Sequence, residues 1–133
     1  MKALGRHLIV EMEGCNDSIN QPGAVRRAMM EAVQAAQATL LNLYIHTFNP
    51  QGVTGVAVLA ESHLAVHTWP EYGYAAVDVF TCGQTADPEA AVKVLEGHFQ
   101  PQRVRMQHIP RGVQGPWTRT TKASSLAAKA ARS

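Results

Sequence analysis

Four extended segments follow one another through the middle of this chain with only short turns between them. No other feature restricts the fold so tightly. Residues 39–48 (Thr-Leu-Leu-Asn-Leu-Tyr-Ile-His-Thr-Phe) have the character of a strand and end at the turn Asn49-Pro50-Gln51-Gly52. Val53 to Ala60 is rich in valine and small residues and suits a central strand. His63 to Trp69 and Tyr74 to Thr81 continue the series, joined by Pro70-Glu71-Tyr72-Gly73 as a hairpin loop. Strands in close succession predict an antiparallel sheet, with any helices gathered on one side of it.

The flanking segments supply those helices. Residues 6–12 read as a first strand closed by Gly14, and Pro22-Gly23 open a helix to about Ala38. Val25, Met29, Val33 and Ala36 are spaced to bury one face of it. Asp87-Pro88-Glu89 joins a capping acid, a proline at the first helical position and an acid in the first turn, and starts a helix to about His98. Residues 103–109 form a last strand before Pro110-Arg111-Gly112. The order strand, helix, four strands, helix, strand predicts an α/β (α+β) two-layer sandwich. Its sheet is mainly antiparallel, with two helices on one face and a single domain over 1–115. The second face of the sheet needs a cover, and a homodimer is one way to provide it.

Bulk properties narrow the function. With 46% hydrophobic and 17% charged residues, the composition is globular rather than disordered. The net charge of +2 hides an asymmetry, because Arg119, Lys122, Lys129 and Arg132 lie in residues 115–133 without an acid. The expectation for 116–133 is a basic, solvated, flexible tail, and no nucleic-acid partner is predicted. No window reaches the ~20 apolar residues of a membrane span, and the first residues show no signal-peptide pattern. A cytoplasmic protein is therefore expected, with Cys15 and Cys82 as reduced thiols.

Residues suited to chemistry concentrate between Glu61 and Gly83. Ser62, His63, His67, Trp69, Glu71 and Cys82 all fall at strand ends or turns of that stretch. Three readings are open from residue types alone. His63 and His67 are metal-ligand types, with Cys82 or Glu71 to complete a set, but their i, i+4 spacing converges on a helix rather than a strand. Ser62 and His67 suit a hydrolase, yet no G-x-S-x-G elbow and no orienting acid accompany them. A purely structural role for each is the third reading, and it fits each residue better than it fits all of them together.

The run Glu61-Ser62-His63-Leu64-Ala65-Val66-His67-Thr68-Trp69-Pro70-Glu71-Tyr72-Gly73-Tyr74-Ala75-Ala76-Val77-Asp78-Val79-Phe80-Thr81-Cys82-Gly83 resembles the processing and active-site region of prokaryotic S-adenosylmethionine decarboxylases. Leu4-Gly5-Arg6-His7, Pro50-Gln51-Gly52-Val53-Thr54-Gly55 and Ile109-Pro110-Arg111-Gly112 extend the likeness to about residue 115. The resemblance implies a precursor that cuts itself between Glu61 and Ser62, giving a β chain of residues 1–61 and an α chain of residues 62–133. Ser62 attacks the Glu61 carbonyl, the amide becomes an ester, and loss of the Ser62 α-proton expels the Glu61 carboxylate. Hydrolysis of the dehydroalanine left behind yields a pyruvoyl group, the implied cofactor, and no metal is expected. That ketone takes the place of pyridoxal phosphate, accepting electrons as carbon dioxide leaves.

The resemblance also assigns roles. His67 assists processing, and Thr54 supports it from a position where relatives have serine. Cys82 returns a proton to the substrate α-carbon. Phe48 and Trp69 offer faces to adenine and the sulfonium, and Glu71 accepts from the ribose hydroxyls. The implied partner is S-adenosylmethionine, destined for spermidine synthesis, bound by a homodimer of processed protomers. One departure is Met12-Glu13-Gly14-Cys15, where relatives often carry an aromatic residue before the cysteine. Glu13 or Glu71 would suit a guanidinium or ammonium tail, so an arginine or ornithine decarboxylase remains an alternative. A non-catalytic regulatory homologue is a second one.

Overall fold

Alternate residues along each inner strand are buried, and this sets the architecture. The computed structural model describes residues 3–83 and 85–113, so the expected basic tail at 116–133 lies outside the described residues. Among the described residues there are six strands: β1 (Gly5–Glu13), β2 (Leu40–Thr47), β3 (Val53–Leu59), β4 (Ser62–Trp69), β5 (Tyr74–Cys82) and β6 (Arg103–Arg111). They form one sheet in the order β2-β3-β4-β5-β1-β6, with every neighbouring pair antiparallel. Two helices, α1 (Pro22–Ala35) and α2 (Pro88–Phe99), make the crossovers. The two-layer sandwich expected from the sequence is the fold observed.

One core joins the layers. Leu8, Val10 and Met12 of β1, Val53, Ala57 and Leu59 of β3, Leu64 and Val66 of β4, and Ala75, Val77 and Val79 of β5 are buried. They share a single cluster with Val25, Met29 and Val33 of α1 and with Val92, Leu95 and Phe99 of α2. Gly55 makes the close approach of α1 possible, because a Cβ there would sit 2.3 Å from Met29 Sδ. The buried Thr68 hydroxyl accepts from Val53 N at 2.8 Å and donates to Val53 O at 3.2 Å, so its polarity is satisfied inside the sheet.

Two local details differ from expectation. α1 stops at Ala35 rather than near Ala38, because Gln37 adopts φ +59. Gln37 N then bonds Gln34 O and Ala38 N bonds Val33 O, the paired bonds that close a helix at a left-handed residue. A short 3-10 turn, Asp17–Asn20, precedes α1 and is capped by Asn16, whose side chain accepts from Ser18 N. At the start of α2 the cap is the expected one, with Asp87 Oδ1 accepting from Ala90 N at 3.1 Å.

The intervening positions, among them Thr54, His63, His67, Asp78, Phe80 and His7, form the sheet's second face. No described element covers it.

Candidate active site

The bond between Glu61 and Ser62 sits at the tip of the β3–β4 hairpin. Leu59 pairs with Ser62, so Ala60 and Glu61 alone make the turn. Glu61 holds φ +60, a left-handed conformation that costs a non-glycine residue about 1–2 kcal/mol. The residue before Ser62 is therefore both exposed and strained. A break here leaves β3 and β4 joined along their whole length by cross-strand pairing. Ser62 Oγ accepts a hydrogen bond at 3.3 Å from the backbone N–H of Cys82, the last residue of β5. The hairpin tip and the end of β5 thus bring Ser62 and Cys82 together.

His67 is elsewhere. It lies five residues along the same extended strand, about 16 Å from Ser62 at the usual rise of ~3.3 Å per residue. There it faces Thr54 across β3, with Thr54 Oγ1 and His67 Nδ1 3.1 Å apart. These two residues line a cavity of about 370 Å³ together with Phe48, Gln51, Gly52, Thr68, Trp69 and Glu71. Phe48 and Trp69 are half exposed around it, at 52% and 41%. Trp69 stacks on Tyr74 at 5.3 Å, and Phe48 meets His46 edge-on at 4.6 Å, so both rings are braced. The eight residues singled out from the sequence therefore form two groups. Glu61, Ser62 and Cys82 stand at one end of β4, and Phe48, Thr54, His67, Trp69 and Glu71 at the other.

The rival readings of the cluster do not assemble within one chain. His63 and His67 are about 13 Å apart along β4 at the same rise. Among the described residues no group of three or more His, Cys, Asp or Glu side chains is arranged to hold a metal ion. The Ser62–His67 separation likewise rules out their direct pairing as nucleophile and base within a chain. Glu13, considered as a partner for a guanidinium, faces Arg103 at 3.9 Å and Arg105 at 3.5 Å.

Comparison with known proteins gives the family. A family model described as S-adenosylmethionine decarboxylase matches residues 6–112. An S-adenosylmethionine decarboxylase proenzyme from Thermomicrobium roseum is 53% identical over 114 residues, covering 85% of this chain and 97% of the relative. The chain belongs to the S-adenosylmethionine decarboxylase family. A second proenzyme of that name, from Methanococcus maripaludis, is 48% identical over 85% of this chain and 93% of its own length. The crystal structure of the adenosylmethionine decarboxylase from Aquifex aeolicus superposes with a TM-score of 0.81 at 33% identity, covering 90% of this chain and all of that one.

Within this S-adenosylmethionine decarboxylase family member the two cysteines have different surroundings. Cys15 packs against the core beside Met12, and its thiol donates to Met12 O at 3.5 Å. Burial pushes its pKa from 9.0 up to about 11, against a smaller lowering by a backbone hydrogen bond at Ala75. At pH 8 its thiolate is about a hundredfold scarcer than that of a thiol titrating at 9.0. Iodoacetamide at pH 8 should therefore alkylate Cys15 about a hundredfold more slowly in the folded protein than after denaturation. The gap should narrow as pH rises toward 11. Equal rates in the two states, followed by peptide mapping, would contradict this.

The sequence reading missed one group near Ser62. His63, Asp78, Phe80 and Arg111 gather around His7 on the uncovered face of the sheet. The segments Leu4-Gly5-Arg6-His7 and Ile109-Pro110-Arg111-Gly112 were visible only as likenesses to the family. Their signal was two basic residues, at strands remote in sequence, whose partners depend on register. Among the described residues no helix is long and apolar enough to cross a membrane.

Proposed function

We propose that this family member is made as a precursor, cuts itself between Glu61 and Ser62, and decarboxylates S-adenosylmethionine at a site shared by two copies of the chain. The observation that carries the reading is the division of the site residues between the two ends of β4. Ser62 and Cys82 are in contact, while Thr54 and His67 are in contact about 16 Å away. A second copy related by a twofold axis through the uncovered face would bring one chain's Ser62–Cys82 end to the other's Thr54–His67 end. The homodimer so formed covers the open face and completes two equivalent sites.

The residues present fit a pyruvoyl group made from Ser62. A hydroxyl held by the Cys82 N–H lies next to a strained, exposed peptide bond whose scission leaves the sheet intact. When formed, that group supplies the electron-accepting carbonyl that decarboxylation of an α-amino acid needs. The partner subunit's His67, oriented by the hydroxyl of its Thr54, moves protons during the ester and elimination stage. Thr54 retains the hydroxyl of a serine, which is the atom the interaction uses. The Cys82 thiol, on the residue whose backbone N–H meets Ser62 Oγ, returns the proton to the substrate α-carbon. Phe48 and Trp69 hold the adenine and sulfonium, and Glu71 takes the ribose hydroxyls. Self-cleavage also separates this reading from a non-catalytic regulatory role, which gives no reason for the chain to be cut or for Ser62 to become a ketone.

Arginine or ornithine as substrate is less well supported. Glu13 is already faced by two arginines, and although Glu71 lines the cavity, neither tail carries an aromatic base to stack on the rings of Phe48 and Trp69. Mature protein given carboxyl-labelled S-adenosylmethionine, arginine and ornithine in parallel should release labelled carbon dioxide mainly from the first. Stacking on each ring is worth about 0.5–1.5 kcal/mol, a severalfold preference apiece. Turnover of arginine or ornithine with none of S-adenosylmethionine would overturn the substrate while leaving the processing chemistry in place.

A further inference from the structure

The chemistry above leaves one cluster unused, and it touches the residue next to the reactive position. Once Glu61–Ser62 is cut, His63 follows the new chain end directly, its backbone nitrogen carrying the pyruvoyl group. A free chain end frays unless something ties it down. In this chain the His63 ring lies flat on Phe80, with centroids 5.5 Å apart and planes 9° from parallel. His7 stands edge-on to both, 6.1 Å from His63 and 5.6 Å from Phe80. Phe80 rests across β1 where Gly5 leaves room, since a Cβ there would be 2.7 Å from Phe80 Cζ. The Arg111 guanidinium sits 5.9 Å from the centre of the same ring.

His7 is itself fixed in one form. Arginine has only donors, so His7 Nδ1 accepts from Arg111 Nη1 at 3.3 Å. The proton of the neutral ring is then on Nε2, which donates to Asp78 Oδ1 at 3.1 Å. Strands β4, β5, β1 and β6 each contribute to the assembly, and direct register pairs His7 with Phe80 and His63 with Phe80.

We propose that the stacked rings of His63, Phe80 and His7 form a clamp that holds the amino end of the mature α chain, making them positioning residues for the pyruvoyl group. The inference rests on the self-cleavage proposed above. In the precursor the same segment is tethered through Glu61, so the clamp matters after cleavage rather than before it. Loosening it lets the reactive end wander relative to Cys82. The proton meant for the substrate α-carbon then reaches the former ketone carbon instead, and hydrolysis leaves an α chain beginning with alanine together with an aldehyde from the substrate.

The test compares His63→Ala, His63→Phe and Phe80→Ala with wild type, all as full-length chains allowed to mature. His63→Ala and Phe80→Ala should self-cleave like wild type, yet show kcat lower by about tenfold or more, with KM changed by less than about threefold. During turnover, mass spectrometry should find alanine-ended α chain accumulating faster than in wild type. Before substrate is added, hydrogen exchange at residues 63–66 should be faster in both. His63→Phe keeps a flat ring on Phe80 and should stay near wild type in all three readouts, which guards against a simple folding defect. The clamp is overturned if His63→Ala matches wild type in kcat and in alanine-ended chain, or if His63→Phe is as impaired as His63→Ala. A wild-type chain that never cleaves would instead remove the functional reading, and the clamp with it.

Discussion

Ser62→Ala protein accumulates as one uncleaved chain of 133 residues, without decarboxylase activity. Alanine has no oxygen to attack the Glu61 carbonyl, so neither the ester nor the elimination that follows it can form. The loss should be at least about a thousandfold, since no other group in the chain replaces a covalent electron acceptor. Fold and stability should change little. Ser62 is only partly buried, and its one side-chain hydrogen bond among the described residues, from Cys82 N, is long at 3.3 Å. Gel electrophoresis beside a thermal melt separates the two effects. A cleaved Ser62→Ala chain would require a different nucleophile and a different cleavage position.

His67→Ala and Cys82→Ala, each inactive or nearly so as purified homodimers, recover activity when expressed together. A mixed dimer has one site in which both changed residues fall, and one in which neither does. Random pairing makes half the dimers mixed, so activity should return to about a quarter of wild type. The first variant should remain largely uncleaved alone, and the second should cleave yet turn over poorly. In the mixture, the His67→Ala chain should be the one rescued for cleavage, because its Ser62 meets an intact His67 from its partner. No recovery in a demonstrated mixed dimer would place both residues in the same chain's site. That outcome conflicts with their places at opposite ends of the β4–β5 hairpin.

The fold was open to reading because alternation survives in the sequence. Val53, Gly55, Ala57 and Leu59, or Ala75, Val77 and Val79, repeat every second residue and mark the buried face directly. Asp87-Pro88 announced α2 through local chemistry alone, and its cap bond is present. The end of α1 was less legible, because a glutamine in a left-handed conformation carries no compositional flag. The 3-10 turn at Asp17–Asn20 depends on the Asn16 side-chain cap and is only four residues long, too short for periodicity to register.

The site was legible as a set of residues but not as a geometry. Ser62 and Cys82 meet because hairpin β4–β5 returns to the tip of β3–β4, which two short turns already implied. The distance from Ser62 to His67 was also implicit, in five residues of extended chain. A resemblance names residues without their separations, so the parting of these residues into two groups at opposite ends of β4 emerged only with the strand's geometry. The His63–Phe80–His7 stack had no sequence signature. It follows from β1 lying beside β5, a pairing between segments some 70 positions apart that register alone decides.

Intact-mass spectrometry of the purified wild-type protein tests the central claim most directly. Cleavage after Glu61 divides the 133 residues into chains of 61 and 72, with no residue lost. The second chain should carry a ketone in place of the amine and hydroxyl of Ser62, and should react with a carbonyl reagent such as phenylhydrazine. A single intact chain with an ordinary serine at position 62, from protein that is folded and dimeric, would contradict the account at its root.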